Sequence, residues 1–158
     1  MGLIIGQAAP EFNAVDDIGK VISLAALRGR WVVLYFYPKD NTAGCSIEAA
    51  KFEQILPELN QLGAEVIGVS TDSSASHASF RQKCNLTFPL LPDTDKKISQ
   101  AFGVVGGLLG AIGFARQSFL IDPQGLLVKH WKLVVNPMIH AVEVKQELEA
   151  QIKLKLNV

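Results

Sequence analysis

Trp31-Val32-Val33-Leu34-Tyr35-Phe36-Tyr37-Pro38-Lys39-Asp40-Asn41-Thr42-Ala43-Gly44-Cys45 is the stretch around which this 158-residue chain is organised. Its first seven residues form an unbroken β-branched, aliphatic and aromatic run, the composition of a strand covered on both faces. Pro38 ends the strand, because proline has no N–H to offer a ladder. A polar loop follows. From Ala43 onward Ala49, Phe52, Ile55, Leu56, Leu59 and Leu62 recur at helical spacing, and Gly63 closes the helix after about Gln61. Pro57 is expected to kink or split that helix near Leu56. Cys45 therefore belongs to the first turn of a helix, at the carboxyl edge of a sheet.

That position has a chemical consequence. The reactive form of cysteine is the thiolate, and a free thiol with a pKa near 8.5 is only about 3% ionised at pH 7. Unpaired N–H groups and the positive end of the helix dipole favour the anion, by about 0.3–1 kcal/mol. This is less than one pKa unit, so an activated cysteine also needs a cation from elsewhere in the chain.

Working outward, Phe12–Val15 and Lys20–Ser23 read as two short strands joined by the turn Asp16-Asp17-Ile18-Gly19. Ser23 is placed to cap a brief helix, Leu24–Leu27. Beyond the cysteine helix, Ala64–Ser70 is a strand, Ala75–Asn85 a helix carrying His77 and Cys84, Thr87–Leu91 a short strand, and Pro92–Asp95 the opening of a helix that runs to Phe102. Arg116–Asp122 and Leu126–Trp131 make a hairpin around Pro123-Gln124-Gly125, and a last helix spans about Pro137–Leu154. Strands alternating with helices, then a hairpin, predict an α/β fold with a central mixed sheet flanked by helices and an N-terminal β-hairpin extension. The length suits a single domain, 1–158. Val104–Phe114 is an apolar, glycine-rich stretch too short to span a bilayer. It reads as a loop or short helix over the core, or else as an exposed patch for a dimer contact or hydrophobic substrate entry.

Bulk properties remove several classes. Fifteen basic and fifteen acidic residues give zero net charge, which points to neither nucleic acid nor an anionic membrane. Two cysteines and three scattered histidines have no zinc-site spacing, and there is no Cys-x-x-Cys motif. His77, His130 and His140 read as surface or packing residues. The N-terminus has neither a basic start nor a long apolar run, so the expected location is cytoplasmic, where cysteines stay reduced.

The pattern Pro38-x-x-x-Thr42-x-x-Cys45 after a hydrophobic strand resembles the peroxiredoxin active-site signature. Tyr35–Asp40 and Cys45-Ser46-Ile47-Glu48-Ala49 are most similar to the bacterioferritin-comigratory or Q-type branch, and the likeness extends from Ala9-Pro10-Glu11-Phe12 to the last helix. The resemblance implies a thioredoxin-like fold and a thiol peroxidase that needs no metal, haem or flavin. It implies Cys45 as the peroxidatic residue, oxidised to sulfenic acid by peroxide. Arg116, opening Arg116-Gln117-Ser118-Phe119-Leu120-Ile121-Asp122, would supply the missing cation. Thr42 would cap the helix and hold the peroxide, and Pro38 would shield the pocket from water. Glu48 fits an acid stabilised by the helix dipole.

One departure stands out. Many members of this branch carry a resolving cysteine five residues after the first, and that position here is Ala50. Cys84 is then the candidate for resolving Cys45, with thioredoxin or another dithiol as reductant. A buried structural Cys84 would instead make a one-cysteine enzyme resolved by an outside thiol. A redox-sensing interaction module on the same fold is the rival outside enzymes. The branch implies a monomer, and the Val104–Phe114 stretch leaves a dimer open.

Overall fold

The computed structural model describes residues 3–104 and 115–157. A five-stranded sheet runs in the order β5-β4-β3-β6-β7, with β3 (Trp31–Phe36), β4 (Ala64–Ser70), β5 (Leu90–Pro92), β6 (Gln117–Ile121) and β7 (Leu127–Trp131). β3, β4 and β5 are parallel, whereas β6 pairs antiparallel with β3 and β7 with β6. This is the expected mixed sheet. The hairpin β1 (Asn13–Val15) and β2 (Val21–Ser23) forms a separate two-stranded sheet.

All six β3 residues are buried, because both faces of the sheet are covered. Trp31, Val33 and Tyr35 point into one cluster with Phe52 and Leu59 of α1 (Ala43–Gln61), Phe80 of α2 (Ser74–Cys84) and Val144 and Leu148 of α4 (His140–Leu156). Val32, Leu34 and Phe36 point into the other, with Phe12, Ile22, Phe119 and Phe102, the residue after α3 (Lys97–Ala101). The period-two alternation of one strand thus divides the interior into two layers.

Several boundaries differ from expectation. α1 is not split at Pro57. Pro57 lies on the exposed side while Phe52, Leu56 and Leu59 anchor both flanks, so packing outweighs the lost hydrogen bond. α4 begins at His140 rather than Pro137, and Asn136 instead forms a local turn by accepting from the Met138 N–H. The helix after Pro92 starts only at Lys97, because the Asp93 carboxylate takes the Ile98 and Ser99 N–H groups. Of Val104–Phe114, Val104 is buried and its N–H donates to Ser99 O, while 105–114 lie outside the described residues.

Candidate active site

β3 delivers the chain to the sheet's carboxyl edge, where the Tyr37 N–H still donates to Val69 O and the Pro38 ring, half-buried, stops the ladder. The loop turns through Asn41 at φ 64° and enters α1 at Ala43. Cys45 is the third helical residue and only 1% exposed.

The cation arrives from across the sheet. β6 pairs with β3, with Gln117 opposite Phe36, and this sets the preceding residue, Arg116, above the start of α1. Its Nη2 donates to Cys45 Sγ over 3.4 Å and its Nη1 to Glu48 Oε1 over 2.6 Å. Burial opposes the guanidinium charge, but Glu48 and Cys45 outweigh it and hold Arg116 above its ordinary value. A fork of fixed donors suits this double duty, which a lysine cannot reproduce.

Glu48 corrects the sequence reading. It is fully buried, one helical turn beyond Cys45 on the inner face, and the helix dipole does not account for it. Burial pushes its carboxyl up to about 7, and the Arg116 charge offsets only part of that. Its Oε2, like the buried Tyr35 hydroxyl, has no hydrogen-bond partner among the described residues. Acidic spacing of i, i+3 from Cys45, in step with buried Ala49 and Phe52, was the available signal.

Thr42 also differs from expectation. It occupies the N-cap position, but its side chain accepts no helix N–H. Its hydroxyl donates instead to Lys39 O at 2.9 Å, which tightens the loop and leaves the oxygen lone pairs at the exposed edge of the site. Gly44 was not anticipated at all. A Cβ there would lie 3.1 Å from Arg116 Nη2, so a side chain at this position would press on the guanidinium that reaches the sulfur.

Cys84 is the last residue of α2, half-buried and packed against the same core cluster that contains Cys45, and both cysteines are free. His140 and His130 pack in or against the core. His140 is buried, bonded through Nε2 to Ser118 Oγ at 2.8 Å and held below its ordinary value by burial. His130 stacks on Phe119 at 4.1 Å. His77 is also fully buried and sits on Asp40 in the loop before Cys45.

Comparison with known proteins places these residues in a wider setting. The AhpC/TSA family profile matches residues 5–130. The Peroxiredoxin Bcp of Bacillus subtilis is 40% identical over 153 residues, covering 94% of this chain and 97% of that one. Among solved structures, a cysteine-to-serine mutant of Xylella fastidiosa PrxQ superposes with a TM-score of 0.89 at 37% identity, covering 96% of this chain and 99% of the other. The bacterioferritin comigratory protein of Xanthomonas campestris, described by its alkyl peroxide reduction activity, gives a TM-score of 0.83 at 37% identity over 89% and 91% of the two chains.

Proposed function

This chain belongs to the AhpC/TSA family as a Bcp/Q-type peroxiredoxin, a thiol-dependent peroxidase, and from that premise we propose that Cys45 is its peroxidatic residue and Cys84 its resolving one. The observation that carries the first assignment is the Arg116 Nη2 to Cys45 Sγ contact at 3.4 Å, on a sulfur in the first turn of a helix. The Cys45 thiolate attacks one peroxide oxygen, the O–O bond breaks, and the other oxygen leaves as hydroxide or alkoxide that takes up the proton the thiol had released, giving water or alcohol, with Cys45 left as sulfenic acid. Arg116 stabilises the thiolate and then the charge growing on the leaving oxygen. Thr42, whose own proton is used by Lys39 O, accepts the peroxide's hydrogen and aligns it with the sulfur. Pro38 shields the sulfur from water.

Cys84 then condenses with the sulfenic acid, and a dithiol such as thioredoxin reduces the disulfide. Support for Cys84 is that it is the chain's other cysteine, half-buried on the same core cluster. We read the substrates as hydrogen peroxide and organic hydroperoxides, the setting as the cytoplasm, and the active form as a monomeric single domain over 1–158, since both core clusters share one sheet. No described helix is long and apolar enough to cross a membrane. The test is peroxide consumption with thioredoxin as reductant. Cys45→Ser is expected to abolish it. Cys84→Ser is expected to lose thioredoxin-driven turnover but keep turnover with a small monothiol. Undiminished consumption by Cys45→Ser overturns the assignment.

A further inference from the structure

Asp40, five residues before Cys45, and His77, seven residues before Cys84, meet in the interior. His77 Nδ1 lies 2.7 Å from Asp40 Oδ2, and neither side chain is more than 1% exposed. Tyr37 Oη donates to Asp40 Oδ1 at 2.6 Å and Ser76 Oγ to Oδ2 at 2.8 Å. Burial keeps the Tyr37 phenol protonated and so able to donate. The Asp40 N–H is itself held by Asp72 Oδ2 at 2.8 Å. On its other side His77 Nε2 faces Leu91 O at 3.1 Å, and a carbonyl only accepts, so Nε2 carries a proton. With carboxylate oxygen on one side and carbonyl oxygen on the other, the histidine–aspartate pair shares a further proton between Nδ1 and Oδ2. That makes it a charge-assisted contact in a dry setting, among the stronger bonds a side chain makes.

We propose that the Asp40–His77 pair is a positioning latch that fastens α2 to the peroxide-binding loop and sets how fast Cys84 reaches oxidised Cys45. This rests on Cys84 being the resolving cysteine. His77, Phe80 and Cys84 share one face of α2 at i, i+3 and i+7, and His77 and Phe80 are fully buried. Both cysteines are free, Cys45 buried in the first turn of α1 and Cys84 at the end of α2, so forming the disulfide draws on the ends of both helices. The latch joins the two segments that carry them. Arg81, by contrast, ties α2 to Asp17 in the N-terminal turn and to Leu86 O and Phe88 O, away from the Cys45 loop. In the resolving step the Cys84 sulfur attacks the Cys45 sulfur, an S–S bond forms, the S–O bond breaks, and the hydroxide leaves with the thiol's proton as water. While the latch holds, sulfenic acid persists and a second peroxide competes to form sulfinic acid.

The test is a rapid-quench measurement of sulfenate formation and of disulfide formation as separate rates, together with the peroxide concentration that half-inactivates the enzyme. His77→Leu removes the latch, His77→Asn restores a donor toward Asp40, and Ser76→Ala removes one peripheral bond. His77→Leu is expected to speed disulfide formation about tenfold and to raise the half-inactivating peroxide by a similar factor, as expected for loss of one charge-assisted bond. Ser76→Ala should give roughly twofold, the scale of a single neutral bond, and His77→Asn should return toward the parent. Leu148→Ala, which loosens the buried face of α4, should lower stability without speeding the step. Unchanged disulfide rates in both Ser76→Ala and His77→Leu overturn the latch, and so does equal acceleration by Leu148→Ala. If His77→Leu does not fold, Ser76→Ala decides alone. Absence of any Cys45–Cys84 disulfide in the parent protein overturns the resolving assignment itself, a separate result visible in the same experiment.

Discussion

Gly44 and Glu48 flank Cys45 in α1 and both bear on the Arg116 guanidinium. A methyl group at position 44 meets Arg116 Nη2 at 3.1 Å, and Arg116 is anchored by Glu48 at 2.6 Å, so it cannot retreat freely. Gly44→Ala is expected to cut peroxidase kcat/KM by about tenfold, through loss of a positioned donor. Helix propensity alone would favour alanine by up to about 1 kcal/mol, and the contact with Arg116 works against that gain. Equal activity in steady-state assays contradicts the geometry. Glu48 predicts a pH effect. Its carboxyl is raised from 4.5 to about 7, so the folded chain holds that proton more tightly than the unfolded one. The associated stability, on the order of 3 kcal/mol, is fully present below about pH 4.5 and lost as pH rises through about 7. Urea midpoints of Glu48→Gln should lack this decline, and an unchanged pH slope refutes it. Cys45, Thr42 and Arg116 were legible as candidates, the first two from a short local pattern and Arg116 from the family resemblance. Glu48, Gly44 and the Asp40–His77 pair were not, because their contacts are with partners 68, 72 and 37 residues away along the chain.

Helices and strands were mostly legible from periodicity, and the misjudged ends share a cause. Where side chains such as Asp93 and Asn136 capture backbone N–H groups, the helix starts later than hydrophobic spacing suggests. At Pro57 the error ran the other way, since local chemistry predicts a break that the buried Leu56 and Leu59 override. Pro57→Ala should therefore restore a hydrogen bond on the exposed side of α1 and raise stability by about 1–3 kcal/mol, less what proline saves in unfolded-chain entropy. A fall in thermal midpoint contradicts this. α2 is well defined at both ends, by Ser73 accepting the Ser76 N–H and by Asn85 at φ 52°. Its tethers to Asp40 and Asp17 therefore hold a formed helix.

The two core layers meet on β3, so neither is expected to unfold without the other, and denaturation should follow one cooperative transition. The two-sided hydrophobic run at Trp31–Tyr37 made that architecture readable from the start. The antiparallel placement of β6 beside β3, which carries Arg116 to Cys45, is a long-range pairing that no local pattern specifies. Sedimentation should give a single species of 17.1 kDa, and a stable dimer contradicts the monomeric reading. The most direct measurement is the mass of the fully reduced chain after one equivalent of hydrogen peroxide, with remaining thiols alkylated and mapped. The predicted result is loss of two hydrogens, with Cys45 and Cys84 both protected from alkylation in one linked pair. Added oxygen at Cys45 with Cys84 still alkylated assigns resolution to an outside thiol. Cys45 still fully alkylated contradicts its role as the peroxidatic residue.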